Sequence, residues 1–229
     1  KKPLLIVGGQ AVNLWALHYF ERAADLAPFV SRDIDILGDR ETLEEVAALV
    51  KGKPEFFPMR PPTNVLGVVV AHDKQGDPVL IEVLRYAHGV DEEELRDPTY
   101  SFVIGKNRIP VLVPGPIALF KAKVANLADL SQEGRQDAKH VQILARILPD
   151  YWSDMVGAVK SGKVEERKLI RHLEMVLSVA TSAKGKSTLP RLCIETKSLF
   201  EGVKPEGLSK VQAFISKRLI RFTQDSLDR

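Results

Sequence analysis

At Pro114-Gly115-Pro116 the hydrophobic pattern of the chain changes from short strand-like runs to long helical stripes. Before it, runs such as Val65–Ala71 and Val79–Tyr86 flank a polar turn, His72–Asp77, and read as a β-hairpin. After it, apolar residues recur at helical spacing, as in Leu169, Leu173, Val176, Leu177 and Ala180. A chain without regular strand–helix alternation does not build a Rossmann-type sheet. The pattern predicts an α+β fold. Residues 1–115 form a small mixed sheet with flanking helices, and residues 116–229 form an all-helical C-terminal part.

The first part opens with an apolar run, Leu4–Val7, that stops at Gly8-Gly9 and is followed by a helix from Gln10 to about Leu26. Asp33-Ile34-Asp35-Ile36-Leu37 alternates like a strand, and Asp39 is a suitable N-cap for a helix over 41–50. Further short strands are expected at 102–104 and 109–113, around Gly105-Lys106-Asn107. Helices are expected near 117–130, 136–148, 151–160, 164–182, 190–201 and 208–225.

With 45% hydrophobic residues the chain can bury an ordinary core. No apolar run approaches the ~20 residues of a membrane span, and no secretory signal pattern is visible. The single cysteine, Cys193, excludes an internal disulfide and a cysteine-based zinc cluster, which fits a cytoplasmic protein. Residues 1–149 carry 18 Lys/Arg against 20 Asp/Glu, whereas residues 150–229 carry 15 against 10. The helical third can therefore attract a polyanion, and part of its positive charge is expected to border the functional cleft.

Asp33 and Asp35 are two apart on a strand and so share a face. Two adjacent anions repel unless a cation or proton neutralises them, and carboxylate oxygens suit Mg²⁺ or Mn²⁺. Glu82 interrupts the otherwise apolar run Val79–Leu84, so it needs a partner. A metal shared with the two aspartates is one; Arg85 or Lys123 is the structural alternative. Gly8-Gly9 allows a phosphate to approach the backbone at a helix N-terminus. Lys121 and Lys123 lie on one mostly apolar helix and cannot both face inward. An inward lysine requires an anion, either a triphosphate or Glu82.

Val7-Gly8-Gly9, a helix, and then Asp33-Ile34-Asp35-Ile36 resemble the signature of the nucleotidyltransferase (polymerase-beta-like) fold. Gly9–Leu14 together with Ser31-Arg32-Asp33-Ile34-Asp35 looks closest to its AbiEii-type branch, which includes toxins of toxin–antitoxin and phage-defence pairs. The resemblance covers about residues 4–145. It implies that Gly8 and Gly9 contact a nucleoside triphosphate, and that Asp33, Asp35 and Glu82 hold Mg²⁺ or Mn²⁺. It also implies that Lys121 or Lys123, with Arg135-Gln136-Asp137, completes the nucleotide site. The implied activity is transfer of a nucleoside monophosphate to a hydroxyl of RNA, such as tRNA, or of a protein, and a cognate antitoxin is an implied partner. Three features depart from that pattern. Gly8-Gly9 stands where Gly-Ser is common. Asp33 follows Gly9 by 24 residues, so Ala23–Val30 reads as an insertion. Gln136 and His140 replace a usual Lys and Asp.

The alternative is a catalytically silent module of the same fold that binds a protein or nucleic acid. Asp137 and His140, three apart on a helix, read as a surface pair. Gly185-Lys186-Ser187 is a fragment of a P-loop, but Ala180 occupies the position of the required first glycine and a helix precedes it, so that reading is rejected.

Overall fold

The computed structural model describes residues 3–31, 33–58, 63–104 and 108–219. Its strands are β1 (Leu5–Ile6), β2 (Asp33–Leu37), β3 (Pro54–Phe56), β4 (Val65–His72), β5 (Pro78–Leu84), β6 (Thr99–Ile104) and β7 (Ile109–Pro114). They form one mixed sheet in the order β3-β4-β5-β2-β1-β7-β6. The sequence-neighbour pairs β3–β4, β4–β5 and β6–β7 are antiparallel, and so is β1–β2. The long-range pairs β2–β5 and β1–β7 are parallel. The sheet is larger than the sequence indicates. β3 has three residues beginning at a proline, which leaves no alternation to detect.

The helices are α1 (Gly8–His18), α2 (Phe20–Ala23), α3 (Arg40–Val50), α4 (Glu92–Arg96), α5 (Pro116–Asp129), α6 (Asp137–Lys160), α7 (Glu166–Thr181), α8 (Ala183–Thr188) and α9 (Ser209–Phe214). α3 starts where expected, with the Asp39 carboxylate accepting from the Thr42 N–H. The expected helices 136–148 and 151–160 are one continuous α6 that runs through Pro149. A mid-helix proline is unfavourable by itself, but Ile147, Leu148, Tyr151 and Trp152 on either side are all buried. Tertiary packing therefore overrides the local preference. The expected helix 190–201 is instead two 3-10 turns, Pro190–Leu192 and Lys197–Phe200, separated by Cys193 at φ 57°. α9 continues in wider turns to Leu219. The rest of the expected helix 208–225, the Gly105-Lys106-Asn107 turn and Arg32 lie outside the described residues.

The largest apolar cluster joins Ile6 and Trp15 to Phe120, Leu144, Trp152, Leu173 and Val211. The core is thus continuous across residue 115, where the secondary structure changes. Residues 20–30 dock on α6: Arg22 pairs with Asp150, Asp25 with Arg146, and Lys139 Nζ donates to the Pro28 carbonyl. Among the described residues no helix is long and apolar enough to cross a membrane.

α3 closes one face of the sheet. Its Leu43, Val46 and Ala47 cluster with Ile36 of β2 and Ile81 and Val83 of β5. Leu43 is fully buried there. Leu43→Ala should lower the unfolding free energy by roughly 2–5 kcal/mol in urea melts. A loss well below 1 kcal/mol would show that this face is not packed as described.

Candidate functional site

β2 and β5 pair in parallel with Asp33 opposite Leu80 and Asp35 opposite Glu82. Residues in register on adjacent strands face the same side, and Asp33 precedes Asp35 by two. The three carboxylates therefore leave one face of the sheet, and one oxygen from each lies within 4.8 Å of the others. Ile34, Ile36, Ile81 and Val83 occupy the opposite face, against α3.

β1 delivers the glycine turn to the same place. The Val7 N–H donates to the Asp35 carbonyl at 2.9 Å, and the Gly9 N–H donates to the Asp35 carboxylate. Gly8 has φ +62°, and a Cβ there would lie 1.7 Å from Asp35 Oδ2. No other residue type fits at position 8. Ser31, just before β2, donates its hydroxyl to Asp33 Oδ1 at 3.2 Å.

Burial raises the Asp35 carboxyl to about 6, helped by the Asp33 charge and opposed by Lys123 and Arg135. Glu82 is raised too, by burial first and then by Asp35 and Asp33. Among the described residues no cationic side chain hydrogen-bonds to any of the three acids. Neither structural alternative for Glu82 holds. Arg85 donates to the carbonyls of Thr63 and Val65, and Lys123 donates to Asp137 Oδ1 at 2.9 Å.

Lys121 and Lys123 separate as a helix requires. Lys123 is 7% exposed and lines the cleft. Lys121 does not line it and binds Glu94 of α4 at 2.7 Å. Placing Lys121 in the nucleotide site is therefore corrected. Residues two apart on a helix point about 200° apart, and Glu94 supplies the anion on the other side.

Asp137 and His140 are not a surface pair. Asp137 is 1% exposed and accepts from both Lys123 and Arg135, the latter at 2.6 Å. Burial alone raises its pKa, but the two cations outweigh it and hold the carboxyl below the usual range. His140, 6% exposed, has no hydrogen-bond partner on either ring nitrogen. Burial and then Lys123 push its pKa down to about 3. The apolar neighbours Val141, Leu144 and Ala145 were the available sign that this helix start is buried.

These groups line one cleft of about 340 Å³, walled by the acids, the glycine turn and the facing sides of α5 and α6. Among the described residues, none that lines it comes from 150–229. Lys184 pairs with Asp129, which also binds the cleft residue His88 but does not itself line the cleft. The expectation that the basic helical third borders the cleft is therefore not met among the described residues. A larger hollow of about 940 Å³ opens at the far end of β2. Its arginines are engaged, Arg40 by Glu44, Arg96 by Glu92 and Arg85 by backbone carbonyls, so the acid cleft is the better candidate. In comparisons with known proteins, the chain matches no family model and no curated sequence.

Two predictions follow from this electrostatic arrangement. The Asp35 carboxyl binds its proton more tightly folded, at about 6, than at its ordinary 3.8. Its contribution to stability is full below about pH 4 and is lost as pH rises through 6. Asp35→Asn removes that dependence. The metal-free variant should be more stable than wild type at pH 8, by an amount on the order of 3 kcal/mol, and the gap should close at pH 4. A variant that melts far lower at pH 8 would instead show Asp35 to be half of a structural ion pair. Gly8→Ala should lose both stability and Mg²⁺-dependent stabilisation, because its methyl group displaces the Asp35 carboxylate. The left-handed backbone alone costs about 1 kcal/mol. Thermal melts with and without Mg²⁺ measure both effects.

Proposed function

We propose that the chain is a metal-dependent nucleotidyltransferase that moves a nucleoside monophosphate from a nucleoside triphosphate to an acceptor hydroxyl. The observation that carries this reading is the register of Asp35 beside Glu82 with Gly8 packed against the Asp35 carboxylate. The donor set fits a hard divalent ion such as Mg²⁺ or Mn²⁺. Three carboxylates converge, two have raised pKa values, and no cationic side chain among the described residues binds them. Such an ion, held by Asp33, Asp35 and Glu82, would neutralise phosphoryl charge and polarise the reacting phosphorus centre.

The chain's own groups supply the rest. A phosphate would approach the cleft beside the Gly8-Gly9 turn at the start of α1, where the helix dipole favours an anion. Lys123 and Arg135, fixed by Asp137, set positive charge along the opposite wall. The acceptor oxygen forms a bond to the α-phosphorus while the bond to the leaving pyrophosphate breaks. The acceptor proton passes to a Glu82 carboxylate oxygen, whose raised pKa suits a base. An RNA acceptor such as tRNA suits the positive balance of residues 150–229; a protein acceptor serves the same chemistry. The resemblance to the toxin branch makes a cognate antitoxin a further proposed partner.

Incubation of the protein with each α-labelled triphosphate, Mg²⁺ or Mn²⁺, and total RNA or protein tests this. One species should gain label, and Asp35→Asn and Glu82→Gln should each lower the rate by at least about a hundredfold. Metal-dependent triphosphate binding with no transfer to any acceptor would leave the silent binding module as the correct reading.

A further inference from the structure

Of the described cleft residues with buried, unbonded side-chain atoms, Asn126 has one, Oδ1, and His140 has both ring nitrogens. The His140 ring is 6% exposed, yet neither nitrogen has a hydrogen-bond partner. Buried polar groups in proteins are nearly always paired, so an exception calls for an explanation. The ring does not lie in the apolar core. It lines the acid cleft, and the edge carrying Cε1 and Nε2 faces Gly9. A Cβ on Gly9 would lie 3.0 Å from Cε1 and 3.4 Å from Nε2, with Ser31 Oγ at 3.0 Å on another side. The missing side chain at position 9 thus lets an imidazole edge and a hydroxyl approach the first turn of α1 closely, beside the acid cleft.

We propose that His140 donates a hydrogen bond to a phosphoryl oxygen of the ligand held over the Gly8-Gly9 turn. The ligand class, a polyphosphate, rests on the functional reading above. A neutral imidazole has one N–H and one lone pair, and the proton resides on whichever nitrogen meets an acceptor. Lys123 and Arg135 both oppose a positive charge on this ring, while Asp137 favours one; burial decides for the neutral form. His140 therefore adds a directed donor to the cleft without adding charge. The two nearby cations each bind Asp137 through one nitrogen, so His140 adds a neutral donor beside two charged ones. The glycine at position 9 is part of the same device, since any side chain there would crowd the imidazole edge.

Inorganic tripolyphosphate with Mg²⁺ is the probe, titrated calorimetrically into the full chain. His140→Met keeps length and removes the donor; His140→Gln keeps a donor. The methionine variant should bind tripolyphosphate about tenfold or more weakly than wild type, and the glutamine variant within about threefold of it. Stabilisation by Mg²⁺ alone should be unchanged in both, because the acid triad is untouched. Should the methionine variant not fold, ¹⁵N NMR of the wild-type imidazole gives the same answer: the ring nitrogens should shift when tripolyphosphate is added. Equal affinity of His140→Met and wild type, unmoved ring nitrogens, or no tripolyphosphate binding by wild type would each overturn the proposal. Tripolyphosphate binding that depends on His140, without nucleotidyl transfer to any acceptor, would support it while refuting the transferase reading.

Discussion

The pairing of β2 with β5 sets Asp35 beside Glu82, and two like charges at neighbouring positions of a sheet repel. What holds them there is the reverse side of the same strands. Ile36, Ile81 and Val83 pack against Leu43, Val46 and Ala47 of α3. A slip of one residue in the register would turn the apolar set toward the cleft and the acids into the core. The register is therefore fixed by the face that carries no chemistry. The raised pKa values at Asp35 and Glu82 come first from burial and then from that proximity of like charges.

The helical part builds the other wall. α5 supplies Lys123 and α6 begins at Asp137, so the ion pair between them ties the start of one helix to the middle of the other. A buried pair of this kind contributes little net stability, but losing either partner would strand a charge. Arg135 makes Asp137 a shared anion for two cations. The wall thus keeps a net positive charge opposite the three acids while no lysine is left unpaired within it. Because the apolar cluster runs from Trp15 to Leu173, sheet and helices cannot move independently without opening the core.

Asp33 and Asp35 were legible from period two, and Glu82 from its place in an apolar run. Their meeting was expected from the cation they would share and is borne out, but the β2–β5 register that brings it about was not legible, because it joins segments more than forty residues apart and depends on α3 for its phase. Gly8 was legible as a turn, but its reason, the Asp35 carboxylate where a Cβ would be, is a tertiary fact. The choice between Lys121 and Lys123 needed the position of Glu94. Pro149 hid the length of α6 because local rules break a helix there, whereas buried Tyr151 and Trp152 hold it together. Asp137 and His140 were misread for a simpler reason. Polar residues at a helix start look like a solvated face unless the opposing helix is known.

Unmet polar demand is unevenly distributed in this molecule. Trp15 and Trp152, both deep in the core, each donate to a backbone carbonyl, of Pro114 and Leu199 respectively. Among the described residues, the buried side-chain polar atoms without a partner are Asn126 Oδ1 and both nitrogens of His140, which belong to residues lining the cleft, and His172 Nδ1. The two acids with raised pKa values lie in the same cleft. A sequence that satisfies the core around its tryptophans yet leaves charge and hydrogen bonds unmet in one small space has localised its frustration. Local conflict of this kind lowers the stability of the protein and would be relieved by any ligand that brought a cation, a donor and an acceptor to the cleft. The back face of β2 and β5, packed on α3, is what allows the front face to remain unsatisfied without loss of the fold.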